Sequence, residues 1–203
     1  MKNTFKWLNL SQFTGALNDN AFKMTAIIVL VNLLGEGRLP TVLAICSILF
    51  VAPFLLFSNA AGTLADQFSK RNIIVASKWM ETGLLVLAVP ALLSGLAWPL
   101  YTLLFLLCAQ SALFGPAKRG IVPELVDDKD LSKANGYLTA TTYTAIIIGT
   151  TLPALLVGYL ELSPLTVIAV GLALALSGTL ASLRIAQVPA ARVNRKASPW
   201  VIP

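Results

Sequence analysis

The stretch "GTLADQFSKRN", residues 62–72, places one acid, Asp66, and two bases, Lys70 and Arg71, between long apolar runs. Residues 41–65 before it carry no charge, and residues 82–117 beyond it carry none either. A helix that crosses a bilayer needs about 20 apolar residues. Both runs exceed that length, so the polar stretch reads as a turn at a membrane surface. Asp66 is placed to bond free backbone donors at the start of the next helix, where the helix dipole favours an anion. Gly62 would let a neighbouring helix approach closely.

Composition agrees with a lipid solvent. Of 203 residues, 57% are hydrophobic and 12% are charged, and the mean hydropathy is +0.79. Soluble domains carry about 25% charged residues, and a soluble chain of this size cannot bury so much apolar surface. Working outward from the turn, six spans are expected: 5–34, 40–64, 72–94, 99–114, 131–160 and 164–186. The fold class is therefore an all-α membrane protein with six transmembrane helices. The start, "MKNTFKWLNLSQF", is basic and then apolar as in a signal peptide, but no small-residue cleavage site follows, so it begins the first span. Residues 1–188 form the helical unit, and the basic, proline-containing segment 189–203 reads as a linker on the cytoplasmic side.

The net charge of +6 is distributed as a topology signal rather than as a nucleic-acid-binding patch. Lys2, Lys6, Lys70, Arg71, Lys118, Arg119, Lys129, Lys133, Arg184, Arg192, Arg195 and Lys196 fall on one side of the spans, and Arg38 alone falls on the other. By the positive-inside rule both termini are cytoplasmic. There is no histidine, which removes the commonest general base and a common metal ligand. Cys46 and Cys108 lie in separate apolar runs and suggest neither a disulfide nor a metal site. No catalytic residue, metal or cofactor is expected, and the chain is not read as an enzyme.

A second stretch needs a reason. "GALNDNAFKM", residues 15–24, sets Asn18, Asp19, Asn20 and Lys23 near the centre of the first span. Each charge there costs about 2.5–3.5 kcal/mol on insertion scales. Asp19 and Lys23 are four apart and are expected to pair on one face, with Gly15 and Ala26 along the same stripe. Asn18 and Asn20 read either as hydrogen-bonding glue between helices or as part of a substrate path; Asp19 reads as part of the path. In the third span Lys78 and Glu81, three apart, can pair. Lys78 lies roughly 9 Å from the start of that span, so it either snorkels to the interface or lines the same path. Gln110 in the fourth span is placed to face the cavity of Asp19.

The loop of Gly62, Asp66 four positions on, and the basic pair Lys70–Arg71 resembles the loop motif of the major facilitator superfamily, with Ser69 where that pattern has a second glycine. The resemblance implies the N-terminal six-helix half of a twelve-helix carrier, built as a 3+3 inverted repeat in which the first and fourth helices are equivalent. More closely, "GALNDNAFK", "FVAPFLLFSNAAGTLADQFSKR", "AQSALFGPAKRGIVPEL" and "KANGYLTATTYTAIIIGT" are similar to the lysophospholipid transporter family of bacterial inner membranes. That resemblance implies movement of lysophospholipid from the outer to the cytoplasmic leaflet for reacylation. It also implies possible partners: a C-terminal six-helix half with no counterpart in this sequence, and acyltransferase and acyl-carrier ligase domains. The residues it carries over are Asp19, Asp66 and Lys118. Lys23, Lys78 and Lys118 can meet a phosphate, and Asp19 an ammonium. Three rivals stand beside it: a facilitator that exports another hydrophobic substrate, with Gly149, Pro153 and Gly158 in its fifth helix; a membrane-bound acyltransferase, which without a histidine could exist only on a missing extension; and a truncated membrane protein that interacts without transporting.

Overall fold

The computed structural model describes residues 3–187, so Lys2 and the expected linker at 189–203 lie outside the described residues. Four long helices come first: α1 (Asn3–Leu34), α2 (Leu39–Gln67), α3 (Lys70–Leu93) and α4 (Ala97–Gly120). A single turn, α5 (Val122–Leu125), precedes α6 (Leu131–Pro153), which continues as a π-helical segment, Ala154–Tyr159, and then α7 (Pro164–Leu183). Among the described residues six helices are long and apolar enough to cross a membrane, as the charge-free runs require.

The helix ends follow local chemistry. Pro40 and Pro164 sit in first turns, where a missing N–H leaves no bond unmade. Gly35 (φ 95°) and Gly95 (φ 64°) take left-handed conformations in the two short turns at one end of the bundle. One boundary differs from expectation. Gly115 and Pro116 do not stop the fourth span; α4 runs through them to Gly120. In lipid an unpaired backbone costs more than one lost helical bond, so a proline is tolerated inside a spanning helix. Lys118 and Arg119 therefore stand on the last turn of α4, where the carbonyl ends favour cations.

Packing reveals the repeat. α1 packs on α6 and α7, while α4 packs on α2 and α3. Advancing each of the first three spanning helices by three positions in their order exchanges these sets. α1 and α4 also touch each other at the centre, and α2 and α6 are the two least buried spans. This is the arrangement of an inverted 3+3 repeat.

Apolar clusters close both ends of the bundle. One gathers Leu30, Val42, Leu85, Leu100 and Leu104. The other gathers Phe5, Leu8, Ile74, Ile121 and Leu125. Between them lies a layer of buried polar groups that includes Gln12, Asn18, Asp19, Lys78, Glu81, Gln110 and Thr179.

Basic contacts tie the second of these ends together. Arg184 lies 4.5 Å from the ring centre of Trp7, Arg71 Nη2 donates to the Leu183 carbonyl at 3.0 Å, and Lys70 pairs with Glu124 at 2.5 Å. The start of α1, the α2–α3 turn, the α4–α6 connection and the end of α7 thus share one end of the molecule.

Candidate functional site

The polar layer opens into a cavity of about 380 Å³. α1 contributes Gln12, Asp19 and Asn20, α3 contributes Lys78 and Glu81, and α4 contributes Gln110, Ser111, Lys118 and Arg119. Phe50 and Phe54 of α2, Phe114 of α4 and Ile146 of α6 supply apolar wall. The polar groups thus come mainly from the two central helices, and part of the apolar wall from the two least buried ones.

Asp19 is buried, 8% exposed. Its Oδ2 accepts from the Ser111 hydroxyl at 2.5 Å, and Ser111 in turn accepts from Gln110 Nε2 at 2.9 Å. Its Oδ1 has no hydrogen-bond partner. A buried carboxylate oxygen left unpaired is costly, and Asp19 lines a cavity through which a donor could reach it. Lys118 reaches the same cavity; its ammonium donates to Gln12 Oε1 at 2.9 Å and lies 5.4 Å from the Phe114 ring centre.

The structure corrects the expected partner of Asp19. Lys23 does not pair with it: the ammonium sits 4.2 Å from the ring centre of Phe50, and Lys23 is not among the residues lining the cavity. Helical spacing places residues 19 and 23 on one stripe, but α2 brings an aromatic face to the lysine and α4 brings a hydroxyl to the acid. A cation over a ring face gains electrostatically without a carboxylate.

The asparagines divide. Asn18 Nδ2 donates to Glu81 Oε1 at 2.8 Å and to the Gly171 carbonyl at 3.1 Å, which joins α1, α3 and α7. It does not line the cavity, so of its two readings the interhelical one is the one seen. Asn20 donates to the Ala16 carbonyl of its own helix at 2.8 Å and does line the cavity.

Lys78 and Glu81 pair at 2.5 Å and are 2% and 1% exposed. Snorkelling is thereby overturned: Lys78 also reaches Thr14 Oγ1 at 3.5 Å, and Gly15 and Gly178 give it room where any larger residue would collide. An ammonium held by a carboxylate three residues away has no need of the interface.

Two expectations at the loop are also corrected. Asp66 is exposed on the last turn of α2, which continues through Gln67. Among the described residues no hydrogen bond joins it to the start of α3, because the carboxylate leaves the bundle before that helix begins. A Cβ at Gly62 would meet nothing within 4 Å, since no helix covers that side of α2. Close approach occurs instead at Gly120, where a Cβ would stand 2.9 Å from Lys70 Cε, and at Gly149, where it would stand 2.5 Å from the Leu17 carbonyl.

Gln12 was not singled out from the sequence. It is 1% exposed and lies seven residues, two helical turns, before Asp19 on the same face; that spacing was the available signal. Phe50 and Phe54 carried no signal, being two apolar residues in an apolar helix. Among the described residues no group of three or more His, Cys, Asp or Glu could hold a metal ion. What the cavity offers is an unpaired carboxylate oxygen and an ammonium, with aromatic walls beside them.

The model of the transmembrane secretion effector family matches residues 2–190. The lysophospholipid transporter LplT of Klebsiella pneumoniae is 31% identical over 185 residues, covering 90% of this chain and 43% of that protein. LplT of Escherichia coli is 32% identical over 142 residues, covering 69% of this chain and 33% of that protein. The chain thus spans less than half the length of these relatives.

Proposed function

The chain belongs to the transmembrane secretion effector family of the major facilitator superfamily, and we propose that it is the N-terminal six-helix half of a lysophospholipid carrier. The carrier alternates its access between the two sides of a bacterial inner membrane. Both termini are cytoplasmic, and the substrate moves from the outer to the cytoplasmic leaflet for reacylation. A second six-helix half completes the path, and acyltransferase or acyl-carrier ligase domains are the partners that use the delivered lipid.

One observation carries the reading. The cavity combines the unpaired Oδ1 of Asp19 and the ammonium of Lys118 with the rings of Phe50 and Phe54. A zwitterionic headgroup supplies an ammonium for the first and a phosphate for the second. The acyl chain lies along apolar helix faces or lipid, so the cavity need not enclose it. The names of the relatives support the same substrate class. Asp66, with Lys70 and Arg71, serves the conformational cycle rather than the substrate. Lys78 and Glu81 form a polar wall of the path, and Lys23 with Asn18 supports α1 from outside the cavity.

The test is a hybrid carrier, with this chain in place of the matching segment of the Klebsiella relative. Uptake of lysophosphatidylethanolamine by the hybrid, lost in Asp19→Asn and largely kept in Lys23→Gln, is the expected result. A hybrid that inserts normally and takes up no lysophospholipid, while its parent does, would overturn the substrate. A second reading, export of another hydrophobic compound, is favoured by the description of the family as secretion effectors. Hybrid-dependent efflux of a hydrophobic cation without lysophospholipid uptake would establish it instead.

A further inference from the structure

The Lys118 ammonium, although inside the bundle, meets no carboxylate at ion-pairing distance among the described residues. The ion pairs there are Lys70–Glu124 and Lys78–Glu81. Its hydrogen-bond acceptor is the neutral amide of Gln12, at 2.9 Å. A half-buried cation keeps part of its solvation, so it can stand on a cavity wall without a paired carboxylate. A neutral acceptor in that place is chemically specific: it fixes the direction of the ammonium and leaves its charge unspent.

The amide itself is over-determined. Thr142 Oγ1 stands 3.1 Å from Gln12 Oε1 and 2.6 Å from the Leu138 carbonyl, and its single proton serves one of them. Gln12 Nε2 donates to the Leu138 carbonyl at 3.1 Å, to Thr141 Oγ1 at 3.1 Å and to Thr142 Oγ1 at 2.9 Å. The donor end is thus held by α6, and the carbonyl end must face Lys118, which has only protons to offer. We propose that Gln12 is a positioning residue that presents Lys118 as an unneutralised cation, and that this makes the cavity selective for amphipaths bearing a phosphate over neutral ones. The inference rests on the headgroup reading of the cavity given above.

The informative variant is Gln12→Glu, which keeps size and shape and adds a charge. A carboxylate there pairs with Lys118 and competes with any phosphate. Its second oxygen takes the place of an Nε2 that donated to the Leu138 carbonyl at 3.1 Å, so the Thr141 and Thr142 hydroxyls must turn to donate to it. A purely structural Gln12 predicts no change of lipid preference, since the same ion pair would then alter only the packing of α1 against α6. The hybrid carrier, with this chain in place of the matching segment of the Klebsiella relative, is titrated in lipid nanodiscs with lysophosphatidylethanolamine and with monoacylglycerol of the same chain length.

Wild type is expected to prefer the phosphate-bearing lipid, and Gln12→Glu to lose about tenfold of that preference, the change expected when an ion pair forms where a ligand phosphate would bind. Its thermal midpoint, compared with that of wild type, reports whether the variant is folded. If Gln12→Glu does not insert, Gln12→Met replaces it; without the acceptor the ammonium is no longer aimed, and the preference should fall severalfold. Lys118→Met separates the two claims. A wild type without preference, or a Lys118→Met variant that keeps it, overturns the headgroup reading and this inference with it. Loss of preference in Lys118→Met with full retention in the folded Gln12 variant overturns the role of Gln12 alone.

Discussion

Gly15 of α1 lies directly against Lys78 of α3: a Cβ built on the glycine would stand 3.0 Å from the lysine Nζ and 3.3 Å from Glu81 Oε2. Because the ammonium is held by Glu81 and enclosed on its far side by Gly178, it cannot swing away. Gly15→Val should therefore destabilise the chain by about 1–3 kcal/mol, the usual cost of overpacking, and Gly15→Ala by less. Thermal unfolding in detergent measures both; a valine variant as stable as wild type would show that the pair is free to move.

The ion pair itself makes a sharper prediction. Glu81→Ala removes the acceptor of both Lys78 and Asn18 and leaves a buried ammonium alone, a loss of about 3–5 kcal/mol. The double change Lys78→Met with Glu81→Leu removes both charges and should recover most of it. Comparing the thermal midpoints of the two variants decides the matter. If the double variant regains its fold and still binds lysophospholipid as wild type does, the pair serves packing and not the substrate path.

At Gly149 the collision is with backbone rather than with a side-chain tip. The α6 glycine faces the Leu17 carbonyl, and Asn20 Cβ and Ala21 N stand 3.0 and 3.3 Å from a Cβ placed there. No rotamer relieves such a contact, so Gly149→Ala should cost more than Gly15→Ala, about 2 kcal/mol or more. The readout is the yield of monodisperse protein and its thermal midpoint, and equal effects of the two alanines would refute the ranking.

Topology can be read by thiol labelling, since native Cys46 and Cys108 are both buried. Cysteines placed at Gly37 and Ser94 should react with a membrane-impermeant reagent added to intact cells. One placed at Phe68, an exposed residue beside the α2–α3 turn, should react only after lysis. Labelling of position 68 from outside would reverse the assignment of both termini to the cytoplasm.

The six spans were legible because each is a long run with few charges, and lipid imposes that requirement on any spanning helix. The Lys78–Glu81 pair was legible because both partners lie on one helix, three residues apart. The partners of Asp19 and Lys23 were not, because their real neighbours, Ser111 and Phe50, belong to other helices. Same-helix spacing says which side chains share a face, not what the facing helix brings. The end of α4 was misjudged for another reason: a glycine-proline pair stops helices in water, where the freed carbonyls can be solvated, and here it does not. Gln12 was overlooked although its spacing from Asp19 was visible, because a polar residue near a basic N-terminus resembles an interfacial one.

The Asn18 amide donates to the Gly171 carbonyl across 153 positions of chain, and Asp19 waits 92 positions for Ser111. During synthesis α1 is made first, and its partners follow on α3, α4 and α7. Its polar groups therefore cannot be satisfied in the order in which they are inserted. The first helix made is in this sense the last to have all of its polar partners in place.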